Sequence, residues 1–406
     1  MSDLLIRGGR LFDPASELDG PGDLLVRGGV IAGVGEVEAA AAEVIEAEGL
    51  WVLPGLIDLH VHLRQPGQEY KETIATGTRA AAAGGFAAVA CEPNTSPPTD
   101  SPERLARLRE IAARDALVRV LPKCAITLGQ EGREVADFEA LRRAGAVAAS
   151  DDGFSVRSDD IMRQAFAAAK RAGLALTVHV DGAEMVSRDI GLCEEADWPI
   201  HFSHVSLAEE VELVARARSK WLRVSGEATP HHLVLSRDDS PADDANFKMN
   251  PPLASPADRA ALRSALAAGV LTVIASDHAP HSSEEKVRPY NQAPPGVIGL
   301  ETTLGVIWTA LVHAGRVEAA TVVSALTAGP ASVLGIEPPA LREGAPANIT
   351  LLDPERVWFV DPDRFQSKGR NCPFAGRKLR GGPVATIVGG RVVMREGSML
   401  NAGVTE

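Results

Sequence analysis

The sequence predicts an α/β fold: a (β/α)8 TIM-type barrel joined to a small β-sandwich domain. Apolar segments with strand character alternate with Ala-, Arg- and Glu-rich helical segments between residues 56 and 334. The two chain ends instead consist of short apolar segments divided by Gly-Gly turns. A length of 406 residues accommodates one barrel with an appended domain.

The two chain ends have similar sequence patterns. LLIRGGRLFD and DLLVRGGVIAGVG lie near the start, and ITLLD and ATIVGGRVVMREG lie near the end. Both patterns predict strands separated by tight turns, so we expect the two ends to combine into one β structure. We therefore predict a β-sandwich domain of residues 1–54 plus 345–406, and a barrel domain of residues 55–344.

Eight segments of the middle region are candidates for the barrel strands. In chain order they are LIDLHVHL, FAAVACEP, VRVLPKCAI, AVAASDD, LALTVHV, PIHFSHV, WLRVSGEATP and LTVIASDH. Helical segments such as KETIATGTRAAAA and SPERLARLREIAARDA separate them. Eight alternating units of this kind predict the barrel.

Polar side chains collect where the predicted strands end. His60 and His62 project from one face of the first strand, because residues i and i+2 of a strand share a face. The other predicted strands end in further polar residues: Glu92, Asn94, Asp151, Asp152, His179, His204, Asp277 and His278. The carboxyl ends of barrel strands carry the functional groups. Four histidines and two aspartates there suit two divalent metal ions, with zinc favoured.

Composition and charge narrow the functional class. A net charge of −13 disfavours nucleic-acid binding, which requires a basic face. The N-terminus lacks the basic-then-apolar plan of a signal peptide, and no apolar run is long enough to span a bilayer. We expect a soluble, cytoplasmic protein. The widely spaced cysteines favour core positions over a disulfide framework.

Six motifs occur in a characteristic order: HVHLRQPG, EPNT, SDDG, HVS, KMNPPL and SDHAPH. Together they resemble the class I dihydroorotases of the amidohydrolase superfamily, and the resemblance covers nearly the whole chain. The resemblance implies that His60, His62 and Asp277 bind the first metal ion. It also implies that Asp152 bridges two metal ions, and that His179 and His204 are the other ligands of the second ion.

The resemblance further implies a substrate and a reaction. Arg64, Asn94 and His281 would hold the substrate carboxylate, and Asn250 would line the pyrimidine ring site. The implied reaction is reversible hydrolytic opening of dihydroorotate to N-carbamoyl-L-aspartate, which runs as ring closure in de novo pyrimidine biosynthesis. In the implied mechanism a metal-bridging hydroxide attacks the ring carbonyl, and Asp277 acts as general acid and base.

The sequence departs from the family pattern at three places. Gln65 replaces a Glu that the family often has, and Val180-Asp181-Gly182 replaces Cys-Glu-Asp after His179. Only 25 residues separate His179 from His204, where the family usually carries a longer insertion. One βα unit still fits in that interval.

Several assignments stay open. Asp151 could replace Asp152, and His231 could replace His204. We interpret His201 as structural and facing away from His204, and His278 as pointing away from the metals. The polar segment Ser282 to Gly296 is interpreted as a lid over the site.

Two other functions remain as alternatives. One is another cyclic amidase, of the hydantoinase or allantoinase type, although those relatives usually bridge their metals through a carboxylated lysine. The other is a non-catalytic dihydroorotase-like subunit that scaffolds aspartate carbamoyltransferase. The expected partner is a small-molecule substrate. A homo-oligomer is expected, and association with aspartate carbamoyltransferase is left open.

Overall fold

The computed structural model describes residues 3–37 and 43–400. Residues 1–2, 38–42 and 401–406, all within the predicted β-sandwich domain, lie outside the described residues. The strands are β1 (Leu4–Asp13), β2 (Leu18–Arg27), β3 (Val30–Gly35), β4 (Glu43–Glu46), β5 (Trp51–Pro54), β6 (Leu56–Val61), β7 (Phe86–Cys91), β8 (Arg119–Pro122), β9 (Ala148–Ala149), β10 (Ala175–His179), β11 (Ile200–Ser203), β12 (Val224–Ala228), β13 (Val273–Ile274), β14 (Ile349–Phe359), β15 (Lys378–Val388), β16 (Arg391–Arg395) and β17 (Ser398–Met399).

The α-helices connect most of the central strands. They are α1 (Ile74–Ala83), α2 (Pro102–Asp115), α3 (Phe138–Ala144), α4 (Asp159–Ala172), α5 (Ala183–Ala196), α6 (Ala208–Ser219), α7 (Pro230–Val234), α8 (Pro256–Ala267), α9 (Ser283–Lys286), α10 (Thr303–Ile307), α11 (Ala319–Ala325) and α12 (Ala328–Leu334). A π-helical turn, Trp308–Val312, continues α10. In the described ranges, no helix combines the length and apolar character needed to cross a membrane.

The two chain ends form one nine-stranded sheet. Its order is β17-β16-β15-β14-β5-β1-β2-β3, and β4 pairs with β1. The join is antiparallel: β14 pairs with β5, with Leu351 opposite Val52. Buried side chains from both ends pack together there, among them Ile6, Leu24 and Ile387. The similar patterns at the two ends therefore correctly predict one shared β structure.

The central strands form two parallel sheets, one ordered β6-β7-β8 and the other β13-β12-β11-β10-β9. Each of the eight predicted strand segments contains one of these eight strands. Single parallel bridges join the two sheets on both sides: Val61 pairs with His278, and Cys124 pairs with Ala149. Every residue of β6 and β7 is buried, as expected for parallel strands covered on both faces.

Local sequence signals place the helices that follow the strands. The Ser158 side chain accepts a hydrogen bond from the Ile161 N–H and begins α4, and Gly173 ends it with a left-handed φ of +67°. Ser101 and Ser255 cap α2 and α8 in the same way. In the short interval between β10 and β11, α5 alone makes the connection, so one βα unit does fit there.

The four cysteines are buried and unpaired. Burial raises the pKa of the Cys91 and Cys372 thiols to about 12. Neutral, enclosed thiols of this kind are ordinary core residues.

Candidate metal centre

Six predicted metal ligands meet at the carboxyl ends of the central strands. All are at most 7% exposed, and they are His60, His62, Asp152, His179, His204 and Asp277. His60 and His62 come from the end of β6, and His179 is the last residue of β10. The other three follow β9, β11 and β13 directly or within three residues. Parallel strands end at one edge, so residues far apart in sequence become neighbours.

Asp152 lies at the centre of the group. Its carboxylate oxygens are 3.3 Å from His60 Nε2, 3.5 Å from His62 Nε2, 3.3 Å from His179 Nδ1 and 3.4 Å from His204 Nε2. Burial raises the pKa of this carboxyl group, but the His60 charge and hydrogen bonds from the histidines together hold it well below its usual range. Asp152 is therefore an ionised carboxylate that four imidazoles surround.

Two subsets of these side chains could each hold a metal ion. One consists of His60, His62 and Asp277, and the other consists of His60, Asp152 and His204. The first matches the set that the resemblance implies for one metal ion. The second contains His60 in place of His179, whose Nδ1 contacts Asp152 while its Nε2 accepts a hydrogen bond from Asn250 at 3.1 Å.

The hydrogen bonds of His60 and His62 indicate a requirement for cations. His60 Nδ1 donates to Glu227 Oε1 at 2.7 Å, and His62 Nδ1 donates to Asn94 Oδ1 at 2.9 Å. If such a ring is neutral, with its proton on Nδ1, Nε2 presents a lone pair to carboxylate oxygens, and His60 Nε2 is buried without a hydrogen-bond partner. A nitrogen lone pair and a carboxylate oxygen that face each other repel unless a cation lies between them. This donor set therefore fits metal ions.

The charges around His60 lead to the same conclusion. Burial lowers the pKa of His60, but the carboxylates of Asp152, Glu92 and Glu227 overcome that effect and raise it well above the usual range. Buried carboxylates require compensating positive charge. A metal ion can supply the charge that a proton on His60 would otherwise provide.

Glu227 is a central residue that the sequence analysis did not identify. Its fully buried carboxylate accepts hydrogen bonds from His60 Nδ1 at 2.7 Å, the His204 N–H at 3.2 Å and His201 Nε2 at 3.1 Å. It therefore orients two predicted ligands from different strands. The available signal was a lone carboxylate inside the apolar segment WLRVSGEATP.

A buried ion pair adjoins the metal centre. Lys123, directly after β8, contacts the Glu92 carboxylate, and neither side chain is exposed. Glu92 Oε1 is also 3.8 Å from His60 Nε2. The Lys123 charge balances Glu92, which leaves Asp152 and Asp277 as the carboxylates available for metal ions. The signal for Lys123 was a charge inside the mainly apolar predicted strand VRVLPKCAI, which also contains Arg119.

Three site residues have unusual backbone conformations. Among the described residues, eight non-glycine residues have positive φ, including Arg64 at +59°, His204 at +39° and Asp277 at +47°. Left-handed φ values at such residues cost energy and concentrate at functional sites. They turn the chain where the strands end and aim these side chains at the centre.

His201 and His204 have different side-chain partners. The His201 ring bonds to Ser225 and Glu227, outside the two candidate metal sets, in agreement with the structural interpretation of this residue. The His204 ring lies 3.4 Å from Asp152, and only the His204 backbone N–H bonds to Glu227. That the two side chains face opposite ways stays a prediction.

The other open assignments are also placed by the structure. Asp151 accepts hydrogen bonds from Thr127 and from the Ile126 N–H, and only its neighbour Asp152 joins the histidines. His231 is buried beside His232, with ring centroids 4.5 Å apart, and lies outside both candidate metal sets. His278 points away, toward Glu72 at 3.3 Å.

The predicted substrate-binding residues border the centre. Arg64 Nε donates to the Pro280 carbonyl at 3.2 Å. Burial lowers the pKa of the Arg64 guanidinium, and the negative charges of Asp277 and Asp152 partly oppose that effect. Asn94 contacts His62 and lies 3.5 Å from Asp152 Oδ2. Asn250 contacts His179.

His281 and the segment after it are held by the protein itself. His281 Nε2 donates to the Pro295 carbonyl at 2.9 Å, and Nδ1 lies 3.4 Å from Lys71 Nζ. Burial, followed by the charges of Arg64 and Lys71, lowers the pKa of His281 to about 3. Lys286 donates to the carbonyls of Pro294 and Gly296 at 3.1 and 3.0 Å, which anchors the segment interpreted as a lid. Its role as a lid stays a prediction.

Comparisons with known proteins show which families this chain is similar to. Residues 49–205 match the family described as dihydro-orotase-like. A dihydroorotase from Pelotomaculum thermopropionicum is 45% identical over 97% of this chain and 99% of its own length. A dihydroorotase from Bacillus cytotoxicus is 42% identical over 93% of this chain and 95% of its own length.

Solved structures show a similar fold. The L-hydantoinase (dihydropyrimidinase) from Arthrobacter aurescens has a TM-score of 0.90 at 25% identity, covering 99% of this chain and 98% of that chain. The dihydropyrimidinase from Brevibacillus agri has a TM-score of 0.88 at 24% identity, covering 98% and 96%. The sequence identity over nearly the full length, together with the strand-end cluster, leads to one conclusion: the chain belongs to the dihydroorotase family.

Proposed function

We propose that this chain catalyses the reversible hydrolytic ring opening of dihydroorotate to N-carbamoyl-L-aspartate, as a dihydroorotase of class I. The observation that carries the proposal is the position of Asp152, within 3.5 Å of four histidines that come from three different strand ends. Relatives that are 41–45% identical over more than nine-tenths of this chain carry the name dihydroorotase. The ring-closing direction would serve pyrimidine biosynthesis.

We also infer the architecture that presents this site. The eight parallel strands β6 to β13 would close into a (β/α)8 barrel of residues 55–344, with a β-sandwich domain of residues 1–54 and 345–406. The bridges Val61–His278 and Cys124–Ala149 support closure, since they connect the two parallel sheets at both seams. The nine-stranded sheet with its own buried cluster supports a separate terminal domain.

Two divalent ions, with zinc as our choice, would occupy the centre. His60, His62 and Asp277 would hold one, His179 and His204 would hold the other, and Asp152 would lie between them. Imidazole and carboxylate donors suit zinc. When bound, such ions supply Lewis acidity that activates a water molecule at neutral pH and polarises the carbonyl under attack.

Asp277 would move the proton. Burial raises the pKa of its carboxyl group, but the His62 hydrogen bond and the charges of His60 and His62 lower it overall, so the group is ionised at neutral pH. The ring bond between the carbonyl carbon and the adjacent nitrogen breaks as water oxygen adds to that carbon. Asp277 accepts a proton from the water and delivers it to the departing nitrogen. The reverse sequence closes the ring.

Arg64 and Asn94 would bind the substrate carboxylate. A guanidinium forms two parallel charge-assisted hydrogen bonds with a carboxylate. The bond from Arg64 Nε to Pro280 fixes the plane of the group before substrate arrives. Asn94, whose Oδ1 accepts a hydrogen bond from His62 Nδ1, can contribute its amide N–H. Asn250, which contacts His179, would line the ring site, and His281 would complete the carboxylate site after its bond to Pro295 opens.

A second candidate is hydrolysis of a cyclic amide that lacks the carboxylate, because the solved structures named above are hydantoinases and dihydropyrimidinases. Dihydrouracil is a matched probe, since it is dihydroorotate without the carboxylate. We expect the zinc-loaded protein to prefer dihydroorotate, and Arg64→Gln to remove most of that preference. Preference for dihydrouracil would support the second candidate. A folded protein that binds no zinc and turns over neither ring would support a scaffold role.

A further inference from the structure

A large cavity opens at the end of the parallel strands opposite the metal centre. We call it the basal cavity, and its volume is about 850 Å³. Its wall includes the first residues of three strands, namely Ala175 of β10, Ile200 of β11 and Val224 of β12. The metal-centre residues lie at the other ends of these strands. A volume of this size is within the range of small-molecule sites, roughly 300–1,000 Å³.

The charge of the basal cavity has one sign. Two arginines, Arg218 and Arg223, line it, and within the described part of the chain no Asp or Glu does. Arg218 is held by the Val224 carbonyl at 3.2 Å, and Arg223 lies over the Trp198 ring at 5.0 Å. Both partners are uncharged, so both positive charges remain available. In a chain of net charge −13, a cavity of this charge suits an anion.

Hydroxyl groups accompany the two arginines. The serines and threonines that line the cavity come from β12, from the residue before β13, and from α11 and α12. They are Ser225, Thr272, Thr321, Ser324 and Ser332. Hydroxyl and guanidinium donors together suit the several acceptor oxygens of a phosphate group. Apolar side chains, including Leu271 and Val333, form other parts of the wall and suit an apolar ligand body.

His201 contributes a neutral wall rather than a third charge. It is 1% exposed, and burial lowers its pKa. Its Nε2 donates to Glu227 at 3.1 Å, so its Nδ1 accepts from the Ser225 hydroxyl at 2.8 Å. The anion-binding charge therefore comes from the two arginines, which makes those residues the ones to test.

We propose that the basal cavity binds a small molecule that carries a phosphate group on an apolar body. The site is separate from the metal centre, so a ligand there does not compete with the substrate ring. Its affinity would depend on the two arginines that line the cavity, Arg218 and Arg223, because a guanidinium forms charge-assisted bonds with a phosphate.

Calorimetric titration of the zinc-loaded protein with inorganic pyrophosphate tests the proposal. We expect saturable binding, weakened at least about tenfold in an Arg218→Gln/Arg223→Gln double variant. Arg216→Gln is the matched control. Arg216 lies in α6, as Arg218 does, but it pairs with Glu212 and does not line the cavity. That variant should bind like wild type. Zinc content is measured before and after each titration.

Two outcomes would overturn the proposal. The first is no binding by the wild type at millimolar pyrophosphate. The second is equal binding by wild type and the double variant, which would place the anion on the metal ions. If the double variant does not fold, the single Arg223→Gln variant decides, because Arg223 is exposed and its replacement leaves the core intact. It should still weaken binding several-fold, and unchanged binding would contradict the assignment.

Discussion

Replacing Glu227 by Gln should weaken zinc binding without reshaping the site. Glu227 accepts three hydrogen bonds, from His60 at 2.7 Å, His201 at 3.1 Å and the His204 N–H at 3.2 Å. A Gln oxygen can still accept the bonds from His60 and His204. The Gln amide would then face His201 Nε2, and His201 can adapt by accepting there and donating from Nδ1 to Ser225. The substitution therefore removes charge while conserving geometry.

The magnitude follows from the position of Glu227 behind His60, a proposed metal ligand. Losing such a partner typically costs 10- to 100-fold in metal affinity, which is about 1.4–2.7 kcal/mol. Titration of metal-free protein with zinc against a competing chelator measures the dissociation constant directly. At saturating zinc the kcat of the variant should stay within about tenfold of wild type, because Glu227 contacts ligands and not the substrate.

Glu210→Gln is the matched control for this experiment. Glu210 is also a buried carboxylate, but it accepts hydrogen bonds from the N–H groups of Ser206 and Leu207 at the start of α6. Its replacement should lower the free energy of unfolding and leave zinc affinity unchanged. Equal zinc affinity in wild type and Glu227→Gln, with both folded, would refute the reasoning about His60.

Three further predictions concern substrate binding, pH and metal removal. Arg64→Ala should raise the KM for dihydroorotate by about 10- to 100-fold with a smaller effect on kcat, since it removes charge-assisted bonds to the carboxylate; steady-state kinetics with an unchanged KM would contradict the assignment. Burial, partly opposed by Arg188, raises the pKa of Asp189 from 3.8 to about 6, so the native state binds this proton more tightly than the unfolded state. As the pH rises from roughly 4 to 6, the free energy of unfolding of the wild type should therefore fall by about 3 kcal/mol relative to that of Asp189→Asn, as measured in denaturant titrations. If the unfolding free energies of the two proteins changed in parallel with pH, this effect would be excluded. Removing zinc with a chelator should lower the melting temperature, because zinc at about 1,000 times its dissociation constant stabilises the native state by about 4 kcal/mol; identical melting curves would argue against a native metal site.

The strands and the terminal sheet were predictable because their signals are local. Parallel strands buried on both faces require continuous apolar segments, such as LIDLHVHL, and those are visible without tertiary information. The position of His60, His62, Asp152 and Asp277 followed from one further rule, that parallel strands end at the same edge. Each lies within the last four residues of its predicted strand segment, so their convergence required no knowledge of individual contacts.

The residues that the sequence analysis missed depend on long-range contacts. Glu227 lies 167 residues from His60, and Lys123 lies 31 residues from Glu92. Each is a charged residue in a mainly apolar predicted strand segment, and nothing local identifies its partner.

Turnover of dihydroorotate by the zinc-loaded protein, beside an Asp277→Asn variant, is the most direct test of the central claim. The Asn side chain keeps the size of Asp and an oxygen for the metal ion, but it cannot accept and return the proton. We predict turnover by wild type and a loss of about 10²- to 10⁴-fold in kcat for the variant, with zinc still bound. Equal rates for the two proteins, or a zinc-loaded wild type that leaves dihydroorotate intact, would contradict the account.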